Sequence, residues 1–338
     1  MLRVTLLVGL FALVTAACGG GGGEAGTTTL DTATTLGATT TTLDATGGTT
    51  AIPTPGLPVT YTGADGVESV VESAARIVTL SGDMTEIVFA LGLGGNIVGD
   101  DLSSVYPEEA LAVPKVGVEF VLSAEAILAQ TPTVVIGDED ARPLEVIEQV
   151  RGAGVPVIVF PRFVGLSAPA EKIRAVAHVL GIDAAGEALA SQVQGEIDAV
   201  VAMAAGVEER PRAALIYAAS GRATLMLGPG SVMDGLFEAV GAIDVSPAAG
   251  ADGYVPLSAE ALVAGDPEVI VTAQRGLDAY LGGLDGFLQM PGVAETTAGR
   301  DRRVLVFEDL FLLGLGPRTG QLLAELFAAL HPEAAPGS

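Results

Sequence analysis

The residues able to do chemistry are few in this chain, and their scarcity is the first constraint. One cysteine, Cys18, and two histidines, His178 and His331, occur in 338 residues. Two histidines cannot assemble a multi-histidine metal site, and a lone cysteine forms no intrachain disulfide. His178 stands beside Ala177 and Val179 in a helical pattern and reads as structural, and His331 lies in the C-terminal tail. No Gly-x-Ser-x-Gly elbow or phosphate loop occurs, and Leu227-Gly-Pro-Gly-Ser231 lacks the lysine of a nucleotide loop. The run Asp138-Glu139-Asp140 reads as a solvated turn. These residue types point away from an enzyme.

Two glutamates stand out by repetition. Leu122-Ser123-Ala124-Glu125-Ala126-Ile127-Leu128-Ala129 is echoed by Leu257-Ser258-Ala259-Glu260-Ala261-Leu262-Val263-Ala264, and Pro132 and Pro267 follow at the same offset. Each serine can cap a helix, which puts each glutamate in a first turn where negative charge is favoured. Capping alone would explain the glutamates. The repeat itself points to two similar units.

The elements that must carry these segments alternate along the chain. Strands are expected at Ile77–Leu80, Ile97–Gly99, Thr133–Ile136 and Val155–Phe160, with helices at Asp83–Leu91, Ser123–Ala129 and Pro143–Gly152. After Pro211 the alternation resumes. Strands are expected at Ala213–Tyr217, Val269–Thr272 and Val304–Phe307, and helices at Ser231–Val240, Ser258–Ala264 and Gln321–Leu330. Such alternation with short connections predicts an α/β fold with largely parallel sheets. Between the halves, Pro169–Leu180 and Ala184–Ala205 read as helices, the second about 33 Å long. The expected architecture is two α/β lobes, residues 75–183 and 211–330, joined by one long connecting helix over 184–205.

The N-terminus has a different character. Met1-Leu2-Arg3 is a short positive start, Val4 to Val14 is an almost unbroken apolar run, and Ala16-Ala17 precede Cys18. About eleven apolar residues are too few to span a bilayer, so 1–17 reads as a signal peptide. Leu13 to Cys18 resembles a bacterial lipobox, with Thr15 where leucine is usual. That resemblance implies lipidation of Cys18; the alternative is an ordinary signal peptide with a chance cysteine. Residues 18–58 are rich in Gly, Thr and Ala without apolar periodicity, a disordered tether with a reach of roughly 35 Å. The expected location is extracytoplasmic, held to the cell membrane by the lipid. The composition fits a large core, at 49% apolar residues with no tryptophan. Its net charge of −25, from 41 acidic against 16 basic residues, excludes a nucleic-acid partner.

The segment Arg76-Ile-Val-Thr-Leu-Ser-Gly-Asp-Met-Thr-Glu86, followed by Ala90-Leu91-Gly92, resembles the opening of class III ABC-importer binding proteins, which include receptors for vitamin B12, siderophores and haem. The resemblance covers roughly residues 75 to 330. It implies two Rossmann-like lobes with a ligand cleft between them, and it implies that Glu125 and Glu260 dock onto arginines of the permease, with an ATPase behind it. Within that family the chain is most similar to the HmuT-type haemin-binding proteins. The matching segments are Asp101-Leu-Ser-Ser-Val-Tyr106-Pro107, Leu225-Met-Leu-Gly-Pro-Gly-Ser-Val-Met-Asp-Gly235, Gly253-Tyr254-x-Pro256-Leu257-Ser258 and Gly314-Leu-Gly-Pro-Arg318.

This branch implies that Tyr106 ligates ferric haem iron, haem b being cargo supplied free or by haem-carrying proteins. It implies no other metal. Tyr254 is the candidate second ligand or cleft wall, and Arg222 and Arg318 are candidate propionate contacts. Val116-Gly117-Val118-Glu119-Phe120 departs from the branch by lacking its Tyr and Arg, so one propionate contact is either missing or supplied elsewhere. A ferric siderophore or corrinoid receptor, and a surface sensor or adhesion module, are the other functions in view.

Overall fold

The computed structural model describes residues 55–334 apart from 119, 221 and 222. Cys18, the signal segment and Arg222 therefore lie outside the described residues. The strands Ile77–Thr79, Ile97–Gly99, Val134–Asp138 and Val157–Phe160 form one parallel sheet, in the spatial order Ile97, Ile77, Val134, Val157. Its central strands are runs of buried Ile and Val, as befits a sheet covered on both faces. Helices Gly82–Ala90, Ala124–Ala129, Leu144–Gly152 and Ala168–Val179 accompany it.

The 22-residue helix Asp183–Ala204 follows, packed on Ala168–Val179 and on Thr319–Leu330. Its buried stripe is Gly186, Ala190, Val193, Ile197, Val200 and Ala204, spaced alternately four and three residues apart. The stripe needs its glycine. A Cβ on Gly186 would stand 2.2 Å from the Ala177 Cβ, so a larger residue would push the two helices apart.

The second sheet runs in the order Tyr254–Pro256, Ala223–Leu227, Arg212–Ser220, Val269–Ala273, Val304–Phe307. The last three strands are parallel, but Ala223–Leu227 is antiparallel to both of its neighbours. This half is a mixed sheet rather than the largely parallel one expected from the pattern. The reason is chain length, because two residues separate Ser220 from Ala223 and a parallel crossover needs about a dozen.

Two further differences have local causes. The helix expected over Ser231–Val240 is confined to Leu236–Ala239, because Gly235 ahead of it adopts a left-handed φ of +77°. Ordered chain also begins ahead of Arg76. Val59–Thr62 and Glu68–Val71 form a hairpin whose Tyr61 meets the Phe160 ring edge-on at 5.5 Å. Four-residue strands with alternating burial leave little periodic signal.

One apolar cluster unites the halves. It runs from Ile77, Ile136 and Phe160, through Ile173, Val193 and Ile197, to Leu215, Val271 and Leu326. The carboxyl ends of the parallel strands in each sheet lead into the segments described next, where open α/β sheets place their ligands.

Candidate ligand-binding site

Tyr106 lies on the segment that follows the Ile97–Gly99 strand, and its side chain is 43% exposed. The guanidinium carbon of Arg318 sits 3.7 Å from the Tyr106 ring centroid and 5.0 Å from that of Phe311. Arg318 is itself fixed by a two-pronged pair with Glu86, Nε to Oε1 at 2.9 Å and Nη2 to Oε2 at 2.8 Å. The Glu86 side chain is only 4% exposed, so the pair is strong in a fixed geometry. It joins the Gly82–Ala90 helix of the first half to the segment before the last helix. The two halves meet at Tyr106.

One turn earlier on the same helix, Asp83 pairs with Lys172, and both side chains are nearly buried. Lys172 also donates to the Gly314 carbonyl at 2.9 Å, four residues before Arg318. Burial pushes the Asp83 carboxyl up, but the Lys172 charge and hydrogen bonds from Lys172, Ser81 and the Met84 N–H outweigh it and hold it below the usual range.

Tyr254 is also 43% exposed, and its hydroxyl accepts from the Val232 N–H at 3.3 Å. Burial pushes this phenol up, against the Val232 hydrogen bond and the positive charge of Arg162. Arg162 follows the Val157–Phe160 strand and is held by Asp140. A residue of the first half therefore lies within electrostatic reach of Tyr254. Farther along the second sheet, the Arg275 backbone N–H donates to Asp309 at 2.9 Å and its Nε lies 3.3 Å from the same carboxylate. The Arg275 side chain is 66% exposed, and Tyr217 lies within its electrostatic reach.

The two repeated segments fold alike. Ser123 accepts from the Ala126 N–H and Ser258 from the Ala261 N–H, both at 3.2 Å, and Glu125 and Glu260 stand exposed in the first turns. His178 pairs with Asp183 at 2.9 Å, while His331 is buried with Nε2 2.9 Å from the Val240 carbonyl and its ring beside Phe327. No group of three His, Cys, Asp or Glu among the described residues is placed to hold a metal ion. Sequence reasoning singled out Tyr106, Tyr254 and Arg318. It missed Glu86, Lys172, Arg162, Arg275 and Tyr217, whose partners are distant in the chain.

The sequence profile of the periplasmic binding protein family matches residues 77–309. The chain belongs to that family. Its fold is the α/β fold of class III binding proteins. Among solved structures it is similar to the periplasmic haem-binding protein RhuT from Roseiflexus sp. RS-1 in apo form. The two are 43% identical with a TM-score of 0.73, over 77% of this chain and 98% of that one. It is also similar to the haem-binding protein HmuT, 35% identical with a TM-score of 0.74, over 82% of this chain and 91% of that one. The ABC transporter substrate-binding lipoprotein YvrC of Bacillus subtilis (strain 168), itself of uncharacterised function, is 23% identical over 261 residues. That match covers 76% of this chain and 80% of the relative. All three of these relatives are binding proteins.

Proposed function

We propose that this binding protein is the extracytoplasmic haem receptor of an ABC importer, with Tyr106 as the ligand of ferric haem iron. The observation that carries the reading is the stack of Arg318 on Tyr106, fixed across the two halves by Glu86. Ferric iron is a hard cation that favours the phenolate, a ligand some haem proteins already use. A guanidinium on the ring offsets the negative charge of that phenolate. Two of the Arg318 nitrogens are occupied by Glu86, so its first role is to support Tyr106 and only its second is to meet a propionate. Arg222 remains the other proposed propionate contact, and Tyr254 forms the opposite wall or a second ligand.

The remaining parts complete the receptor. Exposed Glu125 and Glu260 are the proposed docking points for permease arginines, and the permease works with its ATPase. Cys18 is the proposed lipid attachment, holding the protein to the cell membrane. The protein itself transforms nothing, and haem b is its cargo. Calorimetric titration of the purified protein with haemin, cobalamin and a ferric siderophore tests the ligand class. Binding of haemin alone is expected. Binding of cobalamin or the siderophore in its place would overturn the reading.

A further inference from the structure

One side chain reaches both sides of the segment bearing Tyr106. The ammonium of Lys115 lies 2.8 Å from Asp100 Oδ1 and donates to the carbonyls of Ser104 at 2.9 Å and Ala110 at 3.1 Å. Those two carbonyls flank Tyr106 on either side. Two ammonium protons go to these carbonyls, and the Asp100 contact is an ion pair. The Asp100 carboxylate is fully buried and the Lys115 side chain 24% exposed, so water competes weakly for these bonds.

The rest of the segment is unevenly tied. Before Tyr106, the Ser103 and Ser104 hydroxyls donate to Asp101 at 2.8 and 3.0 Å, Ser104 and Thr85 share a 2.7 Å bond, and Ser103 accepts from the Gly82 N–H. These anchor the near side to the Gly82–Ala90 helix. From Pro107 to Val113, the hydrogen bonds among the described residues are local turn bonds, apart from the one from Lys115 to Ala110; beyond them the Pro114 carbonyl accepts from the Asp100 N–H at 3.0 Å. Burial pushes Asp100 up to about 6 even with Lys115 beside it. That carboxylate therefore depends on Lys115 for its charge at neutral pH.

We infer that Lys115 is a positioning residue for Tyr106, clamping both sides of its loop so that the phenol is presented in one orientation. The inference rests on the proposal that Tyr106 is the ligand. If removing the clamp leaves the competent loop conformation populated at about one tenth, the apparent haem dissociation constant rises about tenfold.

Hydrogen exchange and haemin titration on Lys115→Met and Lys115→Arg test this. Because Lys115→Met leaves Asp100 buried alone, the double variant Asp100→Asn with Lys115→Met restores neutrality without restoring the two carbonyl tethers. In the apo-protein, Lys115→Met and the double variant should speed amide exchange over residues 104–112, with residues 304–330 unchanged, and Lys115→Arg should largely rescue it. The two Met variants should also bind haemin about tenfold more weakly. Unchanged exchange over 104–112 would overturn the inference, as would faster exchange with haemin affinity equal to the parent's. Lowered thermal stability with parent-like exchange and affinity would make Lys115 merely structural and overturn it too. If Tyr106→Phe binds haemin with the parent's affinity and spectrum, the ligand reading fails separately, while the exchange result stands.

Discussion

Replacing Lys172 by methionine removes the positive half of a pair whose side chains are 7% and 11% exposed. Methionine fills much of the volume, so the effect is electrostatic. Asp83 is left buried with hydrogen bonds from Ser81 and the Met84 N–H but no charge partner, and the Gly314 carbonyl loses its donor. Breaking one side of such a pair costs about 3–5 kcal/mol. For about 280 ordered residues the unfolding entropy is about 0.6 kcal/mol/K, so Tm should fall by roughly 5–8 °C at pH 7.

The pH dependence carries the mechanism. In the parent, Asp83 is held below its unfolded pKa, so its contribution is present above about pH 4 and is lost as pH falls through the lower folded value. In Lys172→Met, burial dominates and raises the Asp83 pKa, so its penalty is greatest at neutral pH and relieved by protonation. The gap between the two melting curves, followed by circular dichroism, should therefore narrow from pH 7 to pH 4. A fall of less than 2 °C, or a gap that widens on acidification, would refute the reasoning.

Three further outcomes follow from the same contacts. Glu86→Gln breaks the buried pair that holds Arg318 over Tyr106, and haemin titration should show affinity about tenfold weaker, as for a lost charge-assisted bond. Asp138 is pushed up to about 6, chiefly by burial and then by the nearby Asp83 charge. Its folded state thus holds a proton that the unfolded chain has released between about pH 4 and 6, and stability declines as pH rises through that window. Asp138→Asn should flatten that decline in urea midpoints compared at pH 4.5 and 7, with a gain at pH 7 of up to about 2 kcal/mol. Charge reversal of both Glu125 and Glu260 should abolish haem uptake by cells while leaving the haemin affinity of the purified protein unchanged.

Much of this fold is legible in the residue pattern because its signals are local. Buried strands such as Val134–Asp138 read as apolar runs, and Ser123 and Ser258 announce their helices through cap chemistry. The 22-residue helix Asp183–Ala204 shows in its length and stripe. The site is legible only in part. Tyr106, Tyr254 and Arg318 come from motif resemblance, but the pairs Glu86–Arg318 and Asp83–Lys172 join residues 232 and 89 positions apart. No periodicity encodes such a pairing, which arises when the shared core brings the two halves together. Lys115 is hidden for another reason, since two of its three partners are backbone carbonyls that carry no residue identity.

Titration of the apo-protein with haemin, followed in the Soret and visible regions for the parent and for Tyr106→Ala, tests the central claim most directly. A saturable Soret shift with ferric high-spin bands in the parent, lost in Tyr106→Ala, is the predicted result. No spectral change at micromolar haemin, or the same spectrum in both proteins, would contradict it.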